Sequence, residues 1–456
     1  MRTFPHPVAL PLIVSSLFLL TTSTVFASTY TWTNDTTGTG ASGLQWQSIT
    51  SSSDGSKLAA TTEPGDIWIS ADGGITWVNR TTGTGMSGFR WWSITSSADG
   101  TKLAAVAPDQ GDIWTSTDSG VTWTNRTTGT SASGLQWRGI TSSSDGSKLA
   151  AFTNGTFGGT GDIWISSDSG HTWTNQTTGT SAGGLDWTQI TSSADGTKLA
   201  ATETDFSATG DIWISTDSGA TWTNRTTGTS MSGQRWNGIV LSADGTKLAA
   251  FTHAHNTGDV WTSTDSGATW TDQTASRTVV SDPLYDYITS SADGSKLAAV
   301  TLNDNGPTTT SAIVVSEDGG VTWSDEIDDN NPSVTAQTWW AVALSADGSK
   351  LAAIMWLGDI WTGLIPQPAA PTPAPSGGGG GEIVGSGPNA PSAAGLGDHT
   401  APLPGGTTAA TATPTTLISP SNQSFSASQS TRLAALYASL LQLLQQELSI
   451  LIEMKN

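Results

Sequence analysis

The sequence predicts an all-β fold, a seven-bladed β-propeller, and three observations predict it. The run Asp-Gly-Ser/Thr-Lys-Leu-Ala-Ala occurs seven times, at Asp54, Asp99, Asp145, Asp195, Asp244, Asp293 and Asp347. A second motif ends in Trp77, Trp123, Trp173, Trp222, Trp270 and Trp323, which lie 46 to 53 residues apart, a period that fits a four-stranded blade. The two ends of the repeat region are complementary fragments. The seventh unit stops at Trp361-Thr362-Gly363 without a fourth strand, and Tyr30-Thr31-Trp32-Thr33-Asn34 is a fourth strand with no blade before it.

Within one unit, strand A is of the Trp46-Gln47-Ser48-Ile49-Thr50 type, rich in β-branched and aromatic residues. An Asp-Gly turn follows, where glycine accepts the positive φ that a tight hairpin needs. Lys-Leu-Ala-Ala forms strand B and Asp-Ile-Trp-Ile-Ser forms strand C. The segment Ser-x-Asp-x-Gly-x-Thr-Trp then reverses the chain into strand D. The Asp-Gly and Ser-x-Asp hairpins share one face of the ring, and the B–C and D–A connections share the other. The N-terminal strand is expected to complete blade seven by non-covalent pairing, which removes the open sheet edges that invite aggregation.

The segments Ser70 to Trp77, Ser116 to Trp123, Ser166 to Trp173, Ser215 to Trp222, Ser263 to Trp270 and Ser316 to Trp323 resemble the Asp-box, or bacterial neuraminidase repeat. The resemblance covers about residues 28–365. It implies a propeller and leaves function open, because sialidases, xyloglucan-cleaving glycosidases, sortilin-type receptors and photosystem II assembly factors all carry such hairpins. The aspartates Asp72, Asp118, Asp168, Asp217, Asp265 and Asp318 read as hairpin braces, since an aspartate accepts hydrogen bonds from nearby turn amides. Six equivalent copies around a ring cannot all serve one active site.

Outside the ring, residues 1–27 read as a secretory signal peptide: Arg2, an apolar run from Val8 to Leu20, and Val25-Phe26-Ala27 before the cleavage point. A bacterial protein, secreted or held at the cell surface, is expected. Residues 366–428, rich in Pro, Gly, Thr and Ala, read as a flexible linker. Residues 429–456 read as one C-terminal amphipathic α-helix, with Leu433, Leu436, Tyr437, Leu440, Leu444, Leu448 and Ile452 on one side. Such a face needs a partner, so self-association or contact with the cell envelope is expected through it.

Formal net charge is −21 and cysteine is absent. Nucleic acid is excluded as a partner, because phosphate binding needs clustered Lys and Arg. Seven of the eight lysines occupy one equivalent repeat position, so no basic patch is expected. Disulfides, thiolate metal sites and cysteine nucleophiles are excluded by composition.

A specific site on a repeat scaffold belongs where the copies differ, and blades five to seven depart most. His253 and His255 have the spacing that turns two side chains one way on a strand. The entry to blade six carries Tyr285, Asp286 and Tyr287, and its exit carries Asp325, Glu326, Asp328 and Asp329. With Trp339 of the next strand A, these ten residues are the candidate ligand site on the D–A/B–C face. No cofactor is expected, although an acidic cluster of this kind could take Ca²⁺. The strand A and strand C tryptophans are either sugar-stacking platforms or the wedge filling between blades, the second being the commoner use. The aspartates that open strand C (Asp66, Asp112, Asp162, Asp211, Asp259 and Asp359) read as solvated turns. Asn79, Asn125 and Asn224 stand in glycosylation sequons in phase with the repeat.

The reading is a binding or scaffold module for a glycan or a protein at the cell surface. The alternative is a carbohydrate-active hydrolase of the sialidase or xyloglucanase type. Against it, Arg80, Arg126 and Arg225 are repeat-equivalent residues rather than a converging trio, and nothing singles out the pair of close carboxylates that glycoside hydrolysis requires.

Overall fold

A computed structural model describes residues 30–154, 161–204, 209–252, 258–274, 284–303, 310–326 and 338–365. The chain divides into two units, Met1–Thr372 and Pro373–Asn456. The described residues all fall in the first. The expected signal peptide, linker and C-terminal helix lie outside them.

Seven four-stranded antiparallel sheets make up the ring. Blade one consists of β2 (Trp46–Ser51), β3 (Leu58–Thr62), β4 (Ile67–Ser70) and β5 (Val78–Asn79), and five further blades follow the same order up to Asp325. Blade seven has the order β1-β28-β27-β26: β1 is Thr31–Asn34, β26 is Trp339–Leu344, β27 is Lys350–Met355 and β28 is Ile360–Leu364. Trp32 stands opposite Gly363 and Asn34 opposite Trp361. The split seventh blade read from the two chain ends is therefore the observed one.

Both faces of a blade pack on neighbours, so β3 is buried along its whole length and alternation is lost. Between blades one and two, Ile67 and Ile69 meet Met86, Trp91, Ile94 and Leu103. Across the closure, Ala341, Ile354 and Ile360 of blade seven meet Trp46, Ile49 and Leu58 of blade one. The strand A tryptophans Trp46, Trp91, Trp137, Trp187, Trp236 and Trp339 are all fully buried. In blade three Trp137 touches the strand C ring of Trp164 at 5.9 Å and the Asp-box ring of Trp173 at 6.1 Å. Blade seven has no Asp-box of its own, and Trp32 takes that place 5.9 Å from Trp339.

Three hydrogen-bond systems repeat around the ring. In the Asp-box, the Ser70 hydroxyl donates to Asp72 and accepts from the Gly74 amide, and the Thr76 amide and hydroxyl both donate to Asp72. The aspartate that opens strand C is a clamp: Asp66 accepts from the side chains of Asn79, Thr81 and Thr82 on strand D and the following loop. Burial works to raise the pKa of Asp66, but these bonds outweigh it and hold the carboxyl below its ordinary range. The turn aspartates expected to be solvated are thus structural, and the sequon asparagines Asn79, Asn125 and Asn224 are their donors. Finally, the amide before each Asp-Gly turn donates to the equivalent carbonyl of the next blade. The chain of donors runs Ser53, Ala98, Ser144, Ala194, Ala243, Ala292 and Ala346, and returns to Ser53, at 2.6–2.7 Å throughout.

Candidate functional site

The inner strand of a blade begins with a β-bulge. Trp46 stands opposite Thr62 and Ser48 opposite Thr61, so Gln47 has no partner in the ladder. The same shift occurs at Arg138, Thr188, Asn237, Asp286 and Trp340, and Trp92 holds the equivalent place ahead of strand A of blade two. A bulge takes one residue out of pairing and re-aims its side chain. Here six of these seven residues gather at the mouth of the central channel on the D–A/B–C face. Gln47, Trp92, Arg138, Thr188, Asn237 and Trp340 line one cavity there of about 260 Å³, with Tyr287 among them. Six of seven blades thus contribute a bulge-position residue, and the residue differs from blade to blade.

The mouth has a cationic side. Arg138 lies over the indole of Trp92 at 4.2 Å, and Arg90 approaches the same ring at 5.5 Å. A guanidinium over an indole face is a favourable electrostatic contact. Arg90 is neutralised: it forms an ion pair with Glu63 and lies 3.7 Å from Asp109. Arg138 has no ion pair among the described residues. Burial first, and the charge of Arg90 second, pull its pKa below the ordinary arginine value, against the carboxylates of Glu63, Asp109 and Asp186. A half-buried cation in that setting gains from an incoming anion. The fold brings two arginines from different blades onto one ring, with the carboxylates of Glu63, Asp109 and Asp186 close enough to act on Arg138, so they do not amount to a basic patch.

The opposite side of the mouth is aromatic. Trp340 donates its indole N–H to the Gln47 carbonyl at 3.1 Å, and its ring lies 4.7 Å from that of Trp356. Beside Trp356, Leu357 is 66% exposed. Tyr287 reaches Ser48 of blade one by a side-chain hydrogen bond, and burial raises its phenol pKa. It packs against the cluster of buried residues that includes Ala341 of the intervening blade. Below the mouth the channel is lined by hydroxyls, among them Thr50, Thr95, Thr141 and Thr289.

Of the ten residues proposed from sequence, Tyr287 lines the mouth and Asp286 holds the bulge position of blade six. Tyr285 and Asp325 lie in strands of blade six. Two expectations are corrected. Glu326 is 2% exposed and accepts the backbone N–H of Tyr30 at 2.9 Å, so it secures the N-terminal strand. Trp339 is fully buried between blades and has no surface to offer a ligand. His253, His255, Asp328 and Asp329 lie outside the described residues. Among the described residues no three His, Asp or Glu side chains converge as metal ligands. Gln47, Trp92, Arg138, Thr188, Asn237 and Trp340 were not singled out from sequence. The signal was present: the residue after each strand A tryptophan varies inside an otherwise constant motif.

Fold, hairpins and ring closure together define an Asp-box β-propeller. Residues 210–352 match the family model described as sortilin, neurotensin receptor 3. No curated protein sequence matches the chain. Among solved structures, YCF48 bound to D1 peptide is similar at 15% identity and a TM-score of 0.52, over 74% of this chain and 97% of that one. The GH74 xyloglucanase from Xanthomonas campestris is similar at 15% identity and a TM-score of 0.53, over 73% of this chain and 53% of that one. The GH74 enzyme of Niastella koreensis gives 18% identity, the same TM-score of 0.53, and the same coverage of 73% and 53%. The chain therefore spans nearly all of YCF48 and about half of the GH74 proteins. At these identities the likeness shows the fold.

Proposed function

We propose that the protein is a binding module, exported to the bacterial cell surface, whose channel mouth takes a peptide segment of a partner protein through an anionic group. The observation that carries this reading is Arg138, a half-buried guanidinium on the Trp92 ring with no ion pair among the described residues. A ligand carboxylate would make the direct ion pair that Glu63, Asp109 and Asp186 do not make with Arg138, and Trp340 with Trp356 would take an apolar or ring-bearing neighbour. The similar protein YCF48 is described as bound to a peptide. Export rests on the reading of residues 1–27, and residues 429–456 would multimerise the module or hold it to the envelope, raising avidity for a repeated surface ligand.

The experiment is a display library of peptides with free and amidated C-termini, panned against the protein and against Arg138→Gln. Enriched sequences should be acidic or end in a free carboxylate, and Arg138→Gln should weaken them by about 10–100-fold, the effect of losing one charge-assisted contact. Enrichment indifferent to Arg138 would overturn the reading. Sedimentation of the full chain against one ending at Ile365 tests the tail, and identical monomer masses would remove self-association.

The second reading is a glycan-cleaving propeller, favoured by the paired rings of Trp340 and Trp356 beside the mouth and by the likeness to two GH74 proteins. Release of reducing ends from a plant or bacterial polysaccharide would establish it.

A further inference from the structure

On the face opposite the channel mouth, three pairs of neighbouring blades meet along a groove beside the Asp-box. Between blades two and three the groove encloses about 10 Å³, and between blades seven and one about 20 Å³. Between blades five and six it encloses about 430 Å³, within the range of small-ligand pockets. Its lining differs from the interfaces that follow blades one, three and four at three positions, although the seam between blades seven and one also has small residues there, Thr362, Asp35 and Gly73. After blades one, three and four the strand C residue facing the next blade is Ile69, Ile165 or Ile214, whose side chain fills the space against the Asp-box glycine of that blade. Here it is Thr262. Between blades two and three Thr115 is also small, but Arg126 lies across it and donates to its hydroxyl at 2.7 Å. In the open groove the shorter Gln273 makes that bond, also at 2.7 Å.

The third position leaves a lysine without a serine partner, as Gly73 also does for Lys350 between blades seven and one. Lys57, Lys148 and Lys198 donate their ammonium groups to Ser119, Ser218 and Ser266 of the next Asp-box. Blade six has Gly319 at that position. Lys247 lines the groove, and its ammonium has no hydrogen bond or ion pair among the described residues. The floor is apolar, from Val240, Leu248 and Leu297, and the walls carry the hydroxyls of Thr269, Thr271 and Ser295. Asp318 also lines it, with its carboxylate already engaged by Ser316 and Thr322.

We propose that this groove is a second binding site, for one or two residues of an uncharged saccharide. The volume suits a disaccharide. Hydroxyl walls, the Gln273 amide and the Lys247 ammonium match the mixed donors and acceptors of a sugar, and the aliphatic floor takes its C–H surface. Asp318 in the lining, and Asp293, on which the Lys247 charge acts, favour a neutral ligand over an anion. The site is independent of the channel mouth.

The test titrates the protein with neutral disaccharides of glucose, galactose and xylose, read by ligand-observed saturation-transfer NMR. Two variants restore what the other blades have: Thr262→Ile refills the groove, and Gly319→Ser gives Lys247 a partner. Both put in residues the scaffold already accepts at equivalent positions, so the fold is expected to keep or gain thermal stability. Saturation transfer to at least one disaccharide, reduced at least tenfold in affinity by Thr262→Ile and unchanged by Arg138→Gln, is the expected result. No transfer from any of the three sugar classes at millimolar concentration, or equal binding by Thr262→Ile, overturns the proposal. Loss of binding in Arg138→Gln alone would assign the sugar to the channel mouth and overturn it as well.

Discussion

At the residue scale, the repeated motif is a set of contacts between blades. The lysine of each Lys-Leu-Ala-Ala run lies along the Asp-Gly turn of the next blade. Lys57 donates to the Asp99 carbonyl at 2.9 Å, and its stem packs on Gly100, where a Cβ would stand 2.7 Å from the lysine Cδ. Gly100 also has φ +66°. Both conditions demand glycine: the left-handed backbone costs an L-residue about 1–2 kcal/mol, and the stem must shift in addition. Gly100→Ala should therefore destabilise the propeller by about 2–3 kcal/mol, read as a lowered urea midpoint at constant m-value. Gly85→Ala, where a Cβ would meet nothing, is the control and should change little. Equal midpoints for both variants would refute the clasp. The lysine pattern was legible in the sequence. Its reason was not, because the partner carbonyl lies 42 residues away on another blade.

At the element scale, the ring is held shut by one four-residue strand. β1 pairs with β28, and its flanks are secured at both ends: Tyr30 donates its hydroxyl to the Gly348 carbonyl at 2.7 Å, and Asn34 donates to Asp359 at 2.8 Å. Trp32 completes the aromatic triplet of blade seven. Trp32→Ala should cost about 3 kcal/mol, the low end for a large aromatic because the ring is only partly buried, and deletion of residues 29–36 should unfold the ring at lower temperature still. A loss below about 1 kcal/mol for Trp32→Ala would mean that closure does not depend on this strand. Blade number, strand order and the split seventh blade were all readable, since period and end fragments are sequence properties. The channel mouth was not, because a β-bulge is a feature of register: Arg138 and Trp92 are 46 residues apart in the chain and meet only once adjacent blades are packed. Departures from the repeat drew attention to blades five to seven, while the variable residue after each strand A tryptophan carried the better signal.

At the scale of the whole molecule, two families of carboxylates set opposite limits on stability. Asp99, Asp145, Asp195 and Asp244 each have a pKa lowered to about 2, first by a hydrogen bond from the serine two residues before and then by the amide two residues after. A carboxylate lowered in the folded state favours folding at any pH above its unfolded value of about 3.9, and that contribution is lost as pH falls toward 2. These groups are largely exposed, so each contributes little, but they sit at equivalent turns around one closed ring of amide hydrogen bonds and are lost together. Asp35, beside the closing strand, behaves in the opposite sense. Burial is the main cause that raises its pKa to about 6, against the hydrogen bond it accepts from Thr362 at 2.6 Å. Its ionisation opposes folding, so stability declines as pH rises from about 4 through 6. The melting temperature should therefore peak between about pH 4 and 6, which calorimetry from pH 2 to 8 would resolve. Asp35→Asn keeps an acceptor for Thr362 and removes the charge. It should raise the melting temperature at pH 7, leave it nearly unchanged at pH 4, and flatten the neutral limb while sparing the acid one. An Asp35→Asn variant that melts lower at pH 7 than the parent would show that the seam uses the charge rather than tolerates it.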